Sequence, residues 1–374
     1  MLNPEKVHSL IRAEGLRFFT GVPDSLLADF CAYVTDHAAE DDHVITANEG
    51  NAIALAAGHF LGTGEPALVY MQNSGLGNAV NPLLSLADPE VYSIPMLLMI
   101  GWRGEPGVKD EPQHVKQGRV MTDLLDAMEI PWFVLEAGTA DPQGVIAEAT
   151  ALMREKMSPV ALLVRKGTFE SYKLKKDVVT DFPMDREGAV KWVVDQLGGD
   201  DIIVSTTGKT SRELYEYRAA RGEGHGNDFL TVGAMGHTAS IAMGVARKRR
   251  ERVICLDGDG SVLMHMGALA IIGQSGLSNL LHVVINNGAH DSVGGQPTAG
   301  FDIDFVKIAE ACGYARALSV SEPDAVRQAF AELAGIQGPA LLEIRTNKGA
   351  RSDLGRPRTS PVENREAFMR RLGL

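Results

Sequence analysis

Along the chain, short runs rich in Val, Ile, Leu and Met alternate with segments whose apolar positions recur every three to four residues. The first kind reads as buried strand, the second as helix. In the first half the pattern predicts strands near His43–Ala47, Ala67–Gln72, Met96–Trp102, Trp132–Leu135 and Val160–Arg165. Helices are predicted between them, near Gly50–Phe60, Asn78–Ala87, Val115–Met128 and Pro142–Met157. The alternation pauses at YKLKKDVV and TDFPMD. It then resumes with strands near Ile202–Ser205, Phe229–Val232, Val253–Leu256, Leu281–Ile285, Arg316–Val320 and Ala340–Ile344. Strands that are apolar throughout are covered by helices on both faces. The expected architecture is therefore α/β: two doubly wound parallel-sheet domains, at 1–170 and 188–374, joined by a linker at 171–187.

Composition sharpens this picture in a few places. The chain of 374 residues is long for one core, which fits two domains. With 45% hydrophobic and 22% charged residues it resembles an ordinary soluble protein, and it has no apolar run long enough to span a membrane. Its first residues lack the basic-then-apolar layout of a signal peptide. Cys31, Cys255 and Cys312 are odd in number and widely spaced, as suits reduced thiols, so a cytoplasmic location is expected. A net charge of −12 argues against a nucleic-acid partner. Any anionic ligand must be gripped by local donors.

In doubly wound sheets ligands bind beyond the carboxyl ends of the strands. Four such ends carry unusual polar residues: Glu49, the loop Gln72–Gly75, the turn Asp257–Ser261, and Asn286–Gly288. In RVICLDGDGSVLMHMGALAIIGQSGLSNLLHVVINNG, Gly258 and Gly260 let backbone approach a phosphate, and the next helix offers free N–H donors. Asp259 places a carboxylate at that turn. The 25 residues between Gly260 and Asn286 suffice for one helix and one returning strand, which brings Asn286 and Asn287 beside Asp259. A carboxylate, an amide oxygen, a backbone carbonyl and phosphate oxygens suit octahedral Mg²⁺.

This Gly-Asp-Gly, spacer, Asn-Asn arrangement resembles the signature of the thiamine-diphosphate enzyme superfamily. The resemblance implies thiamine diphosphate and Mg²⁺ as cofactors, with Asp259, the Asn287 side chain and the Ala289 carbonyl as metal ligands and Asn286 structural. It implies that Ser261 and the turn Thr207–Thr210, including Gly208, Lys209 and Thr210, help hold the diphosphate; helix capping is the alternative for that turn. ITANEGNAIALAAGH is similar to the family's glutamate segment, which implies that Glu49 activates the aminopyrimidine; a first-turn helix residue favoured by the macrodipole is the alternative. TVGAMGHTASIAMGVA is similar to the segment in which Met235 wedges the cofactor and the Gly233 carbonyl holds its amino group. In that family the pyrimidine domain of one subunit faces the diphosphate domain of another, so a homodimer or larger assembly is implied.

Four further segments, FFTGVPDSLLADF, YMQNSGLGNAVNPLLSLADP, GWRGEPGVKDEPQHVKQGR and NNGAHDSVGGQPT, resemble the branch of the superfamily that decarboxylates phosphonopyruvate or sulfopyruvate. A small anionic 2-oxo acid is the implied substrate. Arg103, Lys109, His114 and Arg351 are candidate contacts for its anionic groups, each with a solvated surface role as the alternative. Asp24 and His290 are candidates for proton handling, against ordinary turn and loop roles. A carboligase of the same superfamily and a non-catalytic nucleotide-binding α/β module stay open as other readings.

Overall fold

Every aliphatic run marked as a strand by its pattern is a strand in the structure, a computed structural model that describes residues 1–176 and 179–374. The first sheet contains β1 (Phe19–Gly21), β2 (His43–Ile45), β3 (Ala67–Gln72), β4 (Met96–Gly101), β5 (Trp132–Leu135) and β6 (Val160–Val164), in the order β2-β1-β3-β4-β6-β5. The second contains β7 (Ile202–Ser205), β8 (Asp228–Leu230), β9 (Val253–Gly258), β10 (Leu280–Asn286), β11 (Arg316–Val320) and β12 (Ala340–Arg345), in the order β11-β12-β10-β9-β7-β8. All the pairings are parallel. Both sheets reverse direction beside their first strand, the topology that opens a crevice at the strand ends.

The chain divides into two compact units, Met1–Asp177 with Ser292–Gln296, and Val178–Asp291 with Pro297–Leu374. Residues 177 and 178 of the expected linker lie outside the described residues. The linker's start is tied down: the backbone N–H groups of Tyr172, Lys175 and Lys176 donate to the carboxylates of Asp29 and Asp36. Its end is also ordered, where Asp185 accepts from the Gly188 N–H and caps the helix Arg186–Asp195.

Each sheet is buried on both faces, as the unbroken apolar runs require. In β3, Val69 and Met71 pack into one core, while Leu68 and Tyr70 pack into the other. In β9, Ile254 and Leu256 face one layer and Val253 and Cys255 the opposite one. Strand β1 had no counterpart in the sequence pattern: its three residues, Phe19, Thr20 and Gly21, include a glycine, which strands disfavour. The helix expected over Asn78–Ala87 is an α-helix, Leu76–Pro82, running into a π-helical turn, Leu83–Ala87. Pro82 cannot donate a backbone hydrogen bond, which loosens the ladder at that point. Among the described residues no helix is long and apolar enough to cross a membrane.

Candidate active site

In the first unit, Glu49 opens the helix Glu49–Thr63, whose N-cap Asn48 accepts from the Asn51 N–H. The capping turn pins the backbone, so the side chain's direction is set locally. Glu49 is only 5% exposed, and Asn78 Nδ2 donates to its Oε2 at 2.8 Å. Gly75, from the polar loop after β3, packs flat on the carboxylate: a Cβ there would overlap it. The Gln72–Gly75 loop is thus a wall of the Glu49 site, and glycine is needed for its close approach.

Asp24 lies just beyond β1 and is fully buried. Its Oδ2 accepts from the Leu26 N–H at 3.0 Å, and burial raises its carboxyl to a pKa of about 6. Gly101, ending β4, leaves the space that the carboxylate fills. Nearby, Arg103 binds Asp110 in a two-pronged pair, Nε to Oδ2 at 2.8 Å and Nη2 to Oδ1 at 2.5 Å, while Nη1 donates to Ser25 Oγ at 2.6 Å. This pairing, with backbone donors, holds Asp110 well below the usual carboxylate range despite its burial. His114 is buried and its pKa is lowered, first by that burial. Lys109 is exposed. Of the groups expected near a substrate, Arg103 in the loop after β4 and His114 in the helix Pro112–Ala127 are at least partly buried, and Lys109 reaches solvent.

In the second unit, β9 ends in Gly258 and the next helix begins at Asp259, which is 3% exposed. Burial raises its carboxyl to about 6, opposed by hydrogen bonds from Thr298 and from the backbone N–H groups of Asn287 and Gly260. The Asn287 N–H thus reaches Asp259, joining the two ends of the motif. Asn287 Oδ1 accepts from the Ala289 N–H in its own loop at 3.2 Å. Asn286 is wholly buried, with its amide engaged by Gly300 O, Glu343 Oε1 and the Gly288 N–H. The two adjacent asparagines thus differ: Asn286 is tied to the framework, and Asn287 follows it in the loop beside Asp259. Asp259, Asn287 and Ala289, all oxygen donors within one loop cluster, fit a hard cation such as Mg²⁺.

Around this cluster, Ser261 Oγ accepts from Thr206 Oγ1 at 3.2 Å and from the Gly236 N–H at 3.1 Å. These contacts gather the ends of β7, β9 and the Thr231–His237 turn. Met235 and His290 both approach Gly260: a Cβ there would lie 3.4 Å from the Met235 methyl and the His290 ring. His290 has its pKa lowered to about 4 by burial, so its imidazole is neutral near pH 7. Ala234, beside Met235, has a left-handed φ of 52°, a strained conformation for a residue with a Cβ. Gly208 has φ 95° and caps the helix Lys209–Ala220, where Thr210 is buried. Lys209 Nζ donates to Asp291 O at 2.9 Å, anchoring the loop after the metal motif. Gly233 sits in the turn before Met235 and is partly exposed. Arg351 is occupied by Glu187, Glu216 and Asp353, and lies among exposed groups.

A separate buried polar group, Cys255, Asp257 and His282, lies between β9 and β10. His282 Nδ1 shares a hydrogen bond with Tyr314 Oη at 3.2 Å, and its Nε2 is 3.5 Å from Asp257. Sequence pattern had not singled out Asn78, Thr206, Thr298 or Glu343 as site residues. Only for Glu343 was a signal available: a carboxylate inside the apolar run ALLEIR.

Residues 5–130 match the model for the thiamine pyrophosphate enzyme N-terminal TPP binding domain, and residues 206–344 match that for the C-terminal TPP binding domain. Fold and site thus define a thiamine-pyrophosphate enzyme. The phosphonopyruvate decarboxylase of Streptomyces viridochromogenes is 36% identical over 95% of this chain and 91% of its own. That of Streptomyces hygroscopicus is 34% identical over 95% and 90%. The sulfopyruvate decarboxylase of Methanosarcina acetivorans is 26% identical over 92% and 91%. The chain belongs to the phosphonopyruvate decarboxylase family of thiamine pyrophosphate enzymes.

Proposed function

We propose that the chain catalyses the thiamine-diphosphate- and Mg²⁺-dependent decarboxylation of phosphonopyruvate to phosphonoacetaldehyde and CO₂. The observation that carries this reading is the nearly full-length relation to phosphonopyruvate decarboxylases. It is supported by a chain that holds both a buried Glu49 and a buried Asp259–Asn287 cluster at strand ends. Asp259, Asn287 and the Ala289 carbonyl would hold Mg²⁺, and the Thr207–Thr210 turn, Ser261, Gly258 and Gly260 would hold the diphosphate. When bound, thiamine diphosphate supplies the electron sink for the carbon–carbon bond that breaks.

The chain's own residues then have defined tasks. Glu49, steadied by Asn78, would hydrogen-bond the pyrimidine ring and hold or release a proton there. Met235, beside Gly260, and the Gly233 carbonyl would line the cofactor pocket. Asp24, with its pKa raised by burial, carries a proton in a useful fraction of molecules near neutral pH. His290 is neutral and can accept or pass a proton beside Gly260. Arg103 and His114, with Lys109 at the loop's edge, provide positive or donor groups for the substrate's anionic ends. Arg351 would reach substrate only by leaving its carboxylate partners. The working form is taken as a homodimer or larger, with the 1–170 domain binding the pyrimidine end in one subunit and the 188–374 domain the diphosphate end in another.

The test is CO₂ release from phosphonopyruvate, sulfopyruvate and pyruvate, with thiamine diphosphate and Mg²⁺ supplied or withheld. Turnover of phosphonopyruvate that needs both cofactors is expected. Preference for sulfopyruvate would move the chain to the related activity named for the Methanosarcina protein. Turnover without cofactor would overturn the mechanism.

A further inference from the structure

Glu343 lies in β12, one strand away from the metal motif, and is 3% exposed. Its Oε1 accepts from Asn286 Nδ2 at 2.6 Å and its Oε2 from Ser319 Oγ at 2.5 Å; Arg345 Nε approaches Oε1 at 3.5 Å. A carboxylate buried this deeply costs several kcal/mol in desolvation, so its place after the apolar run Ala340–Leu342 calls for a reason. The reason lies at the other end of the hydrogen bond.

A carboxylate only accepts, and the Gly300 carbonyl only accepts, so both must be met by the Asn286 –NH₂ group. Asn286 Nδ2 donates to Gly300 O at 2.7 Å, which leaves Oδ1 facing the Gly288 N–H at 3.1 Å. One amide orientation is thereby chosen, and it holds two pieces of backbone. Gly288, at φ 64°, begins the loop with Asn287 and Ala289. Gly300 is wedged so tightly that an added Cβ would lie 2.6 Å from both Asn286 Oδ1 and Asp259 Oδ2. The same turn carries Thr298, whose hydroxyl donates to Asp259 Oδ2 and whose N–H donates to Gly288 O at 2.9 Å. A continuous path of contacts runs from Ser319 through Glu343 and Asn286 to both side chains assigned to the metal.

We propose that Glu343 is a positioning residue for the Mg²⁺ site: acting through Asn286, it fixes the Gly288 and Gly300 backbones and so presets Asp259 and Asn287 for the ion. The inference rests on the metal assignment made above. It adds a residue from a different strand, outside the Gly-Asp-Gly and Asn-Asn segments. Loss of partners that orient metal ligands weakens metal binding by about 10- to 100-fold.

The test is Mg²⁺ titration of the full-length protein at saturating thiamine diphosphate, read by tryptophan fluorescence and by thermal shift, without substrate. Glu343→Met, which keeps length but accepts nothing, should raise the Mg²⁺ Kd by about 10- to 100-fold. Glu343→Gln can still offer an oxygen to Asn286 and a donor to Ser319, so it should recover to within about threefold of wild type. Ser319→Ala, a milder cut that the fold should tolerate, should weaken Mg²⁺ by about threefold. A folded Glu343→Met with Mg²⁺ Kd within about twofold of wild type would overturn the inference, even if its melting temperature fell; if that variant does not fold, an unchanged Kd in Ser319→Ala overturns it. Wild-type protein that binds no Mg²⁺ would instead strike at the metal assignment itself.

Discussion

The two units hold their key carboxylates in opposite ways. Glu49 is fixed by a helix cap and one amide, Asn78, with Gly75 pressed against its face. Asp259 is surrounded by a hydroxyl and backbone N–H donors, behind which lies the Asn286–Glu343 framework. The first arrangement fits the cofactor contact proposed for Glu49. The second surrounds a buried carboxylate with donors and oxygen neighbours, which fits the Mg²⁺ role proposed for Asp259. Similar chemistry, a buried acid at a strand end, is turned to two uses by its surroundings.

The largest effects should come from separating those uses. Glu49→Gln keeps size and the Asn78 contact, so cofactor and Mg²⁺ binding should persist while turnover falls by about 10²- to 10⁴-fold. Asp259→Ala should instead abolish Mg²⁺-dependent binding of the cofactor, measured by fluorescence titration. Mixing these two inactive variants should restore about a quarter of wild-type activity if subunits reassociate at random and sites are shared. Absence of any recovery in verified mixed oligomers would place both halves in one chain.

Steric probes should give the next effects. Gly75→Ala puts a methyl where the Glu49 carboxylate lies, so turnover should drop by about 10- to 100-fold with Mg²⁺ affinity nearly unchanged. Gly300→Ala pushes on Asp259 and Asn286, so Mg²⁺ affinity should fall by roughly tenfold, with about 1–3 kcal/mol of lost stability. If both variants lost the same property, the contrast between the units would fail.

Asp24 offers a pH test. Its folded pKa of about 6 lies above the unfolded value of about 3.9, so the folded state binds the extra proton. That contribution to stability is complete below pH 4 and is lost as pH rises through 6. Asp24→Asn lacks this titration, so melts from pH 4 to 7 should show the variant gaining up to about 3 kcal/mol relative to wild type. A constant difference across that range would remove burial as the cause. The smallest effect is expected for Lys209→Met, which frees Asp291 from one of its two cationic partners. Cofactor affinity should weaken only a few-fold, about 1 kcal/mol, as measured by titration, because Arg186 still holds that loop.

Much of this was legible in the sequence. The strands β3, β5, β7 and β11 fall at the expected residues, because β-branched and aliphatic residues cluster there between helical patterns. Asp259 and Asn287 were within reach, because a strand-helix-strand spacing of fixed length brings them together. Asn78, Thr298 and Ser319 were not, because each is an ordinary polar residue whose meaning depends on a partner many positions away. Arg103 and Arg351 looked alike as cations near strand ends. Folding gave the first a partly buried pair with Asp110 beside Asp24, and the second an exposed cluster of three carboxylates.

The sequence by itself determined the class: two parallel α/β units, a Gly-Asp-Gly turn paired with Asn-Asn, and a glutamate opening a small-residue helix. Local spacing encodes these features, and spacing survives without coordinates. The tertiary structure alone decided which asparagine faces the framework, which glycine packs on Glu49 and that Glu343 is hydrogen-bonded to Asn286. Those outcomes depend on hydrogen bonds and close packing between strands that lie far apart in the chain, where a tenth of a nanometre separates a partner from a bystander.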